Sequence, residues 1–226
     1  MAILNLIDLC QLIAKKHKAD GEFILTEEKI GQYFAANYHL WPPVTIETLI
    51  VTLKSEIDFF CETFNKELAG VCWVFKDKLP VIMYDPKIRP GNFTILHEIR
   101  EVMDVYFREF GCQSWTSSEE KEKRCDKFAV SILMPTTEFE IYYQKYGPNI
   151  KTLADIYKTS YMSVCIRMRE TLGYEFCIQN KSKRVIKEST NFKKNDFSRH
   201  RIDLGKYIIT LAMPLEQGKH YVDTGA

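Results

Sequence analysis

The sequence predicts an α+β fold, and three observations carry it. Amphipathic segments are opened by polar caps and closed by prolines. Two short apolar runs, 69–75 and 81–84, flank the turn-like Lys76-Asp77-Lys78, and further β-leaning segments gather after Tyr174. With 226 residues, 46% of them hydrophobic, the chain is long enough to bury a substantial core. Only 10 Gly and 8 Pro argue against long disordered tracts.

Residues 4–17 read as an amphipathic first helix. Asp8 interrupts its apolar stretch and Lys15, Lys16 and Lys18 follow it. A basic leader and a small-residue cleavage site are both missing, so it does not read as an export signal. No apolar run reaches the roughly 18 to 20 residues that cross a bilayer. A second helix opens at residues 26–30 with Thr26 as its cap, and Pro42-Pro43 breaks the chain before a helical stretch at 45–53. A hairpin over 69–84 forms a small N-terminal sheet. Pro86, Pro90 and Gly91 end it, and Asn92 is the expected polar cap of a helix running to about Phe107. The next helix spans 118–133 and stops at Pro135. Two short helices over 150–172 precede β-leaning segments at 175–179, 184–186 and 207–213. This pattern divides into a main domain, 1–150, and a C-terminal helical pair with a small sheet, 151–226, packed on it.

Seven cysteines, odd in number and never spaced as CxxC, suit reduced thiols in a cytoplasm better than a disulfide scaffold. Most are expected in the core. A net charge of +1 makes the whole chain a poor electrostatic match for nucleic acid. Residues 151–201 are locally basic, with twelve Lys/Arg against five Asp/Glu. That segment has a weak helix-turn-helix rhythm at 153–168, but Lys158 stands where the turn favours a small residue and Arg167 where an apolar one belongs. A solvated basic face is the expectation, with direct nucleic-acid binding through 151–201 the lesser one.

The chemistry-bearing stretch is His97-Glu98-Ile99-Arg100-Glu101, inside the helix that starts near Asn92. Positions i and i+4 share a helix face, so the His97 imidazole and the Glu101 carboxylate can address one metal ion. Glu98 falls beside them, where the HExxH arrangement places the general base for a metal-activated water. On the following helix Glu122 and Asp126 again lie one turn apart, suited to a third ligand and to a carboxylate that orients His97 through its other ring nitrogen. Each pair by itself is commonplace on solvated helices.

Phe93-Thr94-Ile95-Leu96-His97-Glu98, followed by Glu122-x-x-Cys125-Asp126-x-Phe128-Ala129-x-x-x-Leu133-Met134-Pro135, resembles the ImmA/IrrE metallopeptidase family. The likeness extends upstream to Pro43-Val44-Thr45-Ile46-Glu47 and Gly70, and downstream to Leu153-Ala154 and residues 160–167, covering roughly 40–173. It implies a gluzincin-like domain in which His97 and Glu122 are zinc ligands, Glu98 is the general base, and Asp126 is a helix-aligned supporting carboxylate. Glu101 takes the place of the family's second histidine. The implied activity is metal-dependent cleavage of a protein partner, a DNA-binding repressor. The alternative is an inactive protein-binding or metal-sensing module of the same fold. A divalent ion with two carboxylates and one neutral imidazole sums to zero charge rather than +1, making a weaker Lewis acid. Zinc remains the leading ion, and the extra carboxylate shifts preference toward manganese or ferrous iron. His17, His39, His200 and His220 are isolated and read as surface or satisfied histidines. Tyr142 and Tyr143 are possible oxyanion donors that read better as core aromatics.

Overall fold

Caps and breaks in the sequence set where the helices begin and end. The computed structural model describes residues 3–19, 22–23, 25–64, 68–87, 90–112, 117–189 and 197–214. The first helix, α1 (Leu6–His17), buries Leu6, Leu9, Cys10, Ile13 and Ala14, a stripe at helical spacing. It starts two residues later than the sequence suggests. A two-stranded antiparallel ladder, β1 (Lys18–Ala19) and β2 (Glu22–Phe23), leads to α2 (Glu27–Asn37). Thr26 caps α2 by accepting from the Lys29 amide, and Thr45 caps α3 (Ile46–Leu53) in the same way from Thr48.

The expected hairpin is present as β4 (Gly70–Trp73) and β5 (Val81–Tyr84), antiparallel with Val71 opposite Met83. A strand not anticipated from the sequence, β3 (Asp58–Cys61), pairs parallel to β5 on its other side. The order β3-β5-β4 leaves β4 at one edge of this sheet.

The central element is α4 (Gly91–Glu109), where 15 of 19 residues are buried, and burial on every side marks a helix enclosed by its neighbours. It packs against α1, α3, β4, β5 and α5 (Ser118–Leu133). Asn92 is not its cap, which corrects the sequence expectation. The helix starts two residues earlier than an Asn92 cap would set it, after Pro90, and the buried Asn92 amide donates to the carbonyls of Val44 and Lys158, tying three segments together. Ser117 caps α5 by accepting from the Glu120 amide. Pro135 both stops α5 and precedes α6 (Thr136–Tyr146), a helix the sequence does not set apart.

Then come α7 (Ile150–Tyr157) and α8 (Tyr161–Leu172). Lys158 ends α7 in the left-handed region, and residues 163–168 of α8 are buried in an unbroken run against α5 and the C-terminal sheet. Arg167, 2% exposed, directs its guanidinium to Glu28 and Thr136. The buried run and the Arg167 contacts fit ordinary packing of two helices, the stronger of the two sequence expectations for this segment. The antiparallel C-terminal sheet runs β7 (Val185–Glu188), β6 (Glu175–Asn180), β9 (Tyr207–Pro214), β8 (Phe197–Asp203), and β8 was not anticipated.

One contiguous core runs from Leu6 to Leu211 and crosses position 150 without a gap, so residues after 150 complete the same interior. Five of the seven cysteines, Cys10, Cys112, Cys125, Cys165 and Cys177, are buried. Among the described residues no helix is long and apolar enough to cross a membrane.

Candidate metal centre

Three elements meet at the cluster. One face of α4 presents Thr94, His97, Glu98 and Glu101 at spacings of three and four. The facing side of α5 presents Lys121, Glu122, Cys125 and Asp126, and Gly70 and Cys72 project from one face of edge strand β4 by its two-residue period. The cleft between them has a volume of about 340 Å³ and is lined by residues 68–72, Thr94, His97, Glu98, Glu101 and Glu122.

His97 is the hub. Its Nε2 lies 3.8 Å from Glu101 Oε1 and 3.6 Å from Glu122 Oε2, while its Nδ1 lies 3.1 Å from Asp126 Oδ1. Two donors bound tetrahedrally to one ion at zinc-like bond lengths stand about 3.4 Å apart. Each carboxylate taken singly is therefore within a few tenths of an ångström of sharing an ion with His97, and imidazole with carboxylate suits a divalent cation. The group around His97 whose ligand atoms are all mutually close is His97, Glu101 and Cys125, with Glu122 outside it. Asp126 occupies the position of the carboxylate that fixes a liganding histidine's tautomer and orientation. Glu122 is at the mouth, with its side chain 56% exposed, whereas the His97 side chain is only 7% exposed.

The sequence reading missed three neighbours. Lys121 Nζ pairs with Glu101 Oε2 at 2.6 Å. Cys72 Sγ donates toward the same oxygen at 3.8 Å. Cys125 offers a ligand atom that, with those of His97 and Glu101, falls within a mutual 4.8 Å, as do those of Cys72, Glu98 and Glu101. Helical spacing could have found Lys121 and Cys125, four apart and flanking Glu122, and strand alternation could have found Cys72 from Gly70.

Burial pushes the Glu98 carboxyl up to about 7; His97 pulls it back and Glu101 adds to the rise. Burial works to lower the His97 pKa, but the Asp126 hydrogen bond and charge, joined by Glu98 and Glu122, outweigh it and hold the value above the usual histidine range. Burial raises both the Cys72 and Cys125 thiols, so neither ionises readily without a cation beside it. Burial opposes the charge on Lys121, yet its hydrogen bond to Glu101 keeps its pKa raised.

The backbone is fitted to the cluster. A Cβ added at Gly70 would come 2.4 Å from the Thr94 methyl and 3.0 Å from Glu98 Oε1, so only glycine lets β4 lie this close to α4. Behind the cleft, Glu27 of α2 accepts from Arg100 of α4 at 2.6 and 3.0 Å and from Arg124 of α5 at 2.7 Å, fastening both site helices to one carboxylate.

The other residues considered from sequence lie elsewhere. Tyr143 is buried and shares a hydrogen bond with Tyr174, and Tyr142 stacks edge-on to Tyr157. His17 bonds Tyr33 at 2.9 Å, and His200 lies on β8. His220 falls outside the described residues. A larger cavity, about 710 Å³, lies between α7, α8 and the C-terminal sheet, but of the cluster it touches only Asp126.

Fold and site together define a mixed α+β protein with a histidine, carboxylate and thiol cluster of metal-ligand spacing between two helices and an edge strand. No family model matches the chain, and no curated protein matches it. A solved structure of a "Mycobacterium tuberculosis transcriptional regulator" has the same overall fold, with a TM-score of 0.60 over 98% of this chain and 97% of that one. The two sequences are 12% identical, so the likeness concerns the fold alone.

Proposed function

We propose that this chain is a metal-dependent peptidase of the ImmA/IrrE type that acts on a transcriptional regulator in the cytoplasm. The observation that carries it is the His97 hub, with two carboxylate oxygens within 3.8 Å of Nε2 and a third carboxylate on Nδ1. His97, Glu101 and Glu122 would hold the ion, zinc first, with manganese or ferrous iron compatible with the second carboxylate. Such an ion acidifies water and polarises a carbonyl.

The chain's own groups supply the remainder. Glu98, which lines the cleft beside His97, would take a proton from water and return it to a departing amine. Asp126 on Nδ1 would orient His97 and leave Nε2, on the side of Glu101 and Glu122, to ligate an ion. As an edge strand lining the cleft, β4 can receive an extended peptide by main-chain pairing, which selects a polypeptide substrate. A DNA-binding repressor is the proposed partner, in keeping with a fold neighbour that is itself a transcriptional regulator.

A second reading, a metal-binding or sensing module without turnover, is favoured by position 101, since a carboxylate there removes the positive charge that acidifies water. The two separate with zinc-loaded protein and a library of quenched fluorescent peptides. Cleavage that is lost in Glu98→Gln while zinc stays bound supports the peptidase. Zinc binding with no cleavage by the wild-type protein supports the module.

A further inference from the structure

We infer that Lys121 is a working part of the metal centre: its ammonium offsets the charge of Glu101, so that Glu101 and Lys121 together stand in for one neutral ligand. This rests on the proposed metal site.

The two oxygens of Glu101 face different partners. Oε2 is held by Lys121 Nζ at 2.6 Å, and Oε1 is turned toward His97 Nε2 at 3.8 Å, on the side where the ion would sit. The pair joins α4 to α5 next to Glu122, so the α5 helix delivers the ammonium and the third ligand from adjacent positions. With a divalent ion, His97, Glu101 and Glu122 sum to zero. Lys121 brings the total to +1, the charge of a site with two imidazoles and one carboxylate. The ammonium therefore returns the Lewis acidity that the second carboxylate removes.

An ordinary inter-helix ion pair would make a different prediction. It would contribute to folding and leave the ion indifferent to whether residue 121 is charged. The charge account makes Lys121 repel the bound ion while sharpening its effect on water. It also makes positions 101 and 121 interdependent. Glu101→His alone would strand the ammonium beside the ion, and the site would carry +2.

The test is zinc affinity by competition calorimetry for the full chain and for Lys121→Met, Lys121→Arg, Glu101→His and Glu101→His/Lys121→Met, each checked for folding by thermal melting. One unit charge about 5 Å from a divalent ion changes affinity by roughly 15-fold at the dielectric of water and by roughly 270-fold at half that value, which brackets a half-buried setting. Lys121→Met is expected to bind zinc tighter by a factor toward the lower end of that range, because Glu101 already screens the ammonium. Removing Lys121 from the Glu101→His background is expected to gain more, toward the upper end, and Lys121→Arg should stay within about twofold of wild type. Lys121→Gln serves as a second neutral variant should Lys121→Met not fold. Equal affinities for the Met, Gln and Arg variants, or the same gain in both backgrounds, would overturn the role of Lys121 while leaving the metal site standing. Absence of zinc binding in the wild type and every variant would instead remove the metal site, and this inference with it.

Discussion

Replacing Glu27 with Gln tests how the site is held together. Its carboxylate is 5% exposed and receives three short hydrogen bonds from two guanidiniums. Arg100, 1% exposed, follows Glu98 by two residues on α4, and Arg124 follows Glu122 by two on α5, so each guanidinium leaves its helix on the side away from the cleft. The substitution keeps the volume and two oxygen- and nitrogen-bearing arms but strips the charge. Arg100 then stays buried beside a neutral partner, a defect that costs about 3 to 5 kcal/mol. Urea denaturation at pH 7 is the assay. Burial works to raise the Glu27 pKa, but Arg100 and Arg124 outweigh it and hold the value below 4.5. The unfolded chain therefore takes up the proton first as pH falls. The stabilisation is intact above about 4.5 and is lost as pH drops through the lower folded-state value, so the gap between wild type and Glu27→Gln should narrow toward pH 3. Because the same carboxylate sets the α4–α5 spacing, zinc affinity should fall in the variant too. A cost under about 1 kcal/mol at pH 7 would show that the triad does not hold the helices.

Further outcomes follow from individual contacts. Phe128 is fully buried and meets Phe34 edge-on, with ring centroids 5.6 Å apart, so Phe128→Ala should cost about 3 to 5 kcal/mol in denaturant titration. In chelator-treated protein Glu98 retains its proton up to about 7, against 4.5 for the unfolded chain, so folding stability declines as pH rises through that window. Glu98→Gln removes the decline and should gain on wild type by up to about 3 kcal/mol between pH 5 and pH 8. A pH-independent difference between the two would contradict a buried, protonated Glu98. Gly70→Ala should destabilise by about 1 to 3 kcal/mol and impair any peptide cleavage, since the new methyl must displace Thr94 and crowd Glu98. Asp126→Asn should weaken zinc binding about 10- to 100-fold, and unchanged affinity would mean Asp126 does not support His97 through Nδ1.

Local signals carried much of the fold. Thr26, Thr45 and Ser117 cap helices by side-chain bonds three residues ahead, and Lys76-Asp77-Lys78 joins strands that pair in plain antiparallel register. Elements defined by distant partners were not legible. The four residues of β3 are mostly exposed and pair parallel to β5 more than twenty positions away, with no turn to announce them. Asn92 looks like a cap by type, but its amide is claimed by carbonyls 48 and 66 residues distant. At the site, i and i+4 spacing proposed His97 with Glu101 and Glu122 with Asp126, and the structure gathers the three carboxylates around the His97 imidazole. Lys121 escaped notice because a lysine beside a glutamate reads as a solvated face until the facing helix shows which carboxylate it meets. The pKa of Glu98 was equally hidden, since it arises from enclosure by β4, α4 and α5 rather than from its sequence neighbours.

The most direct test of the account is metal content and affinity at His97. Protein purified without chelator, and again after stripping and titration with zinc, is compared with His97→Ala by elemental analysis and calorimetry. The expected result is one divalent ion per wild-type chain, with binding abolished in His97→Ala at unchanged secondary structure. No bound ion in the wild type, or equal binding in the folded His97→Ala variant, would contradict a metal centre built on His97.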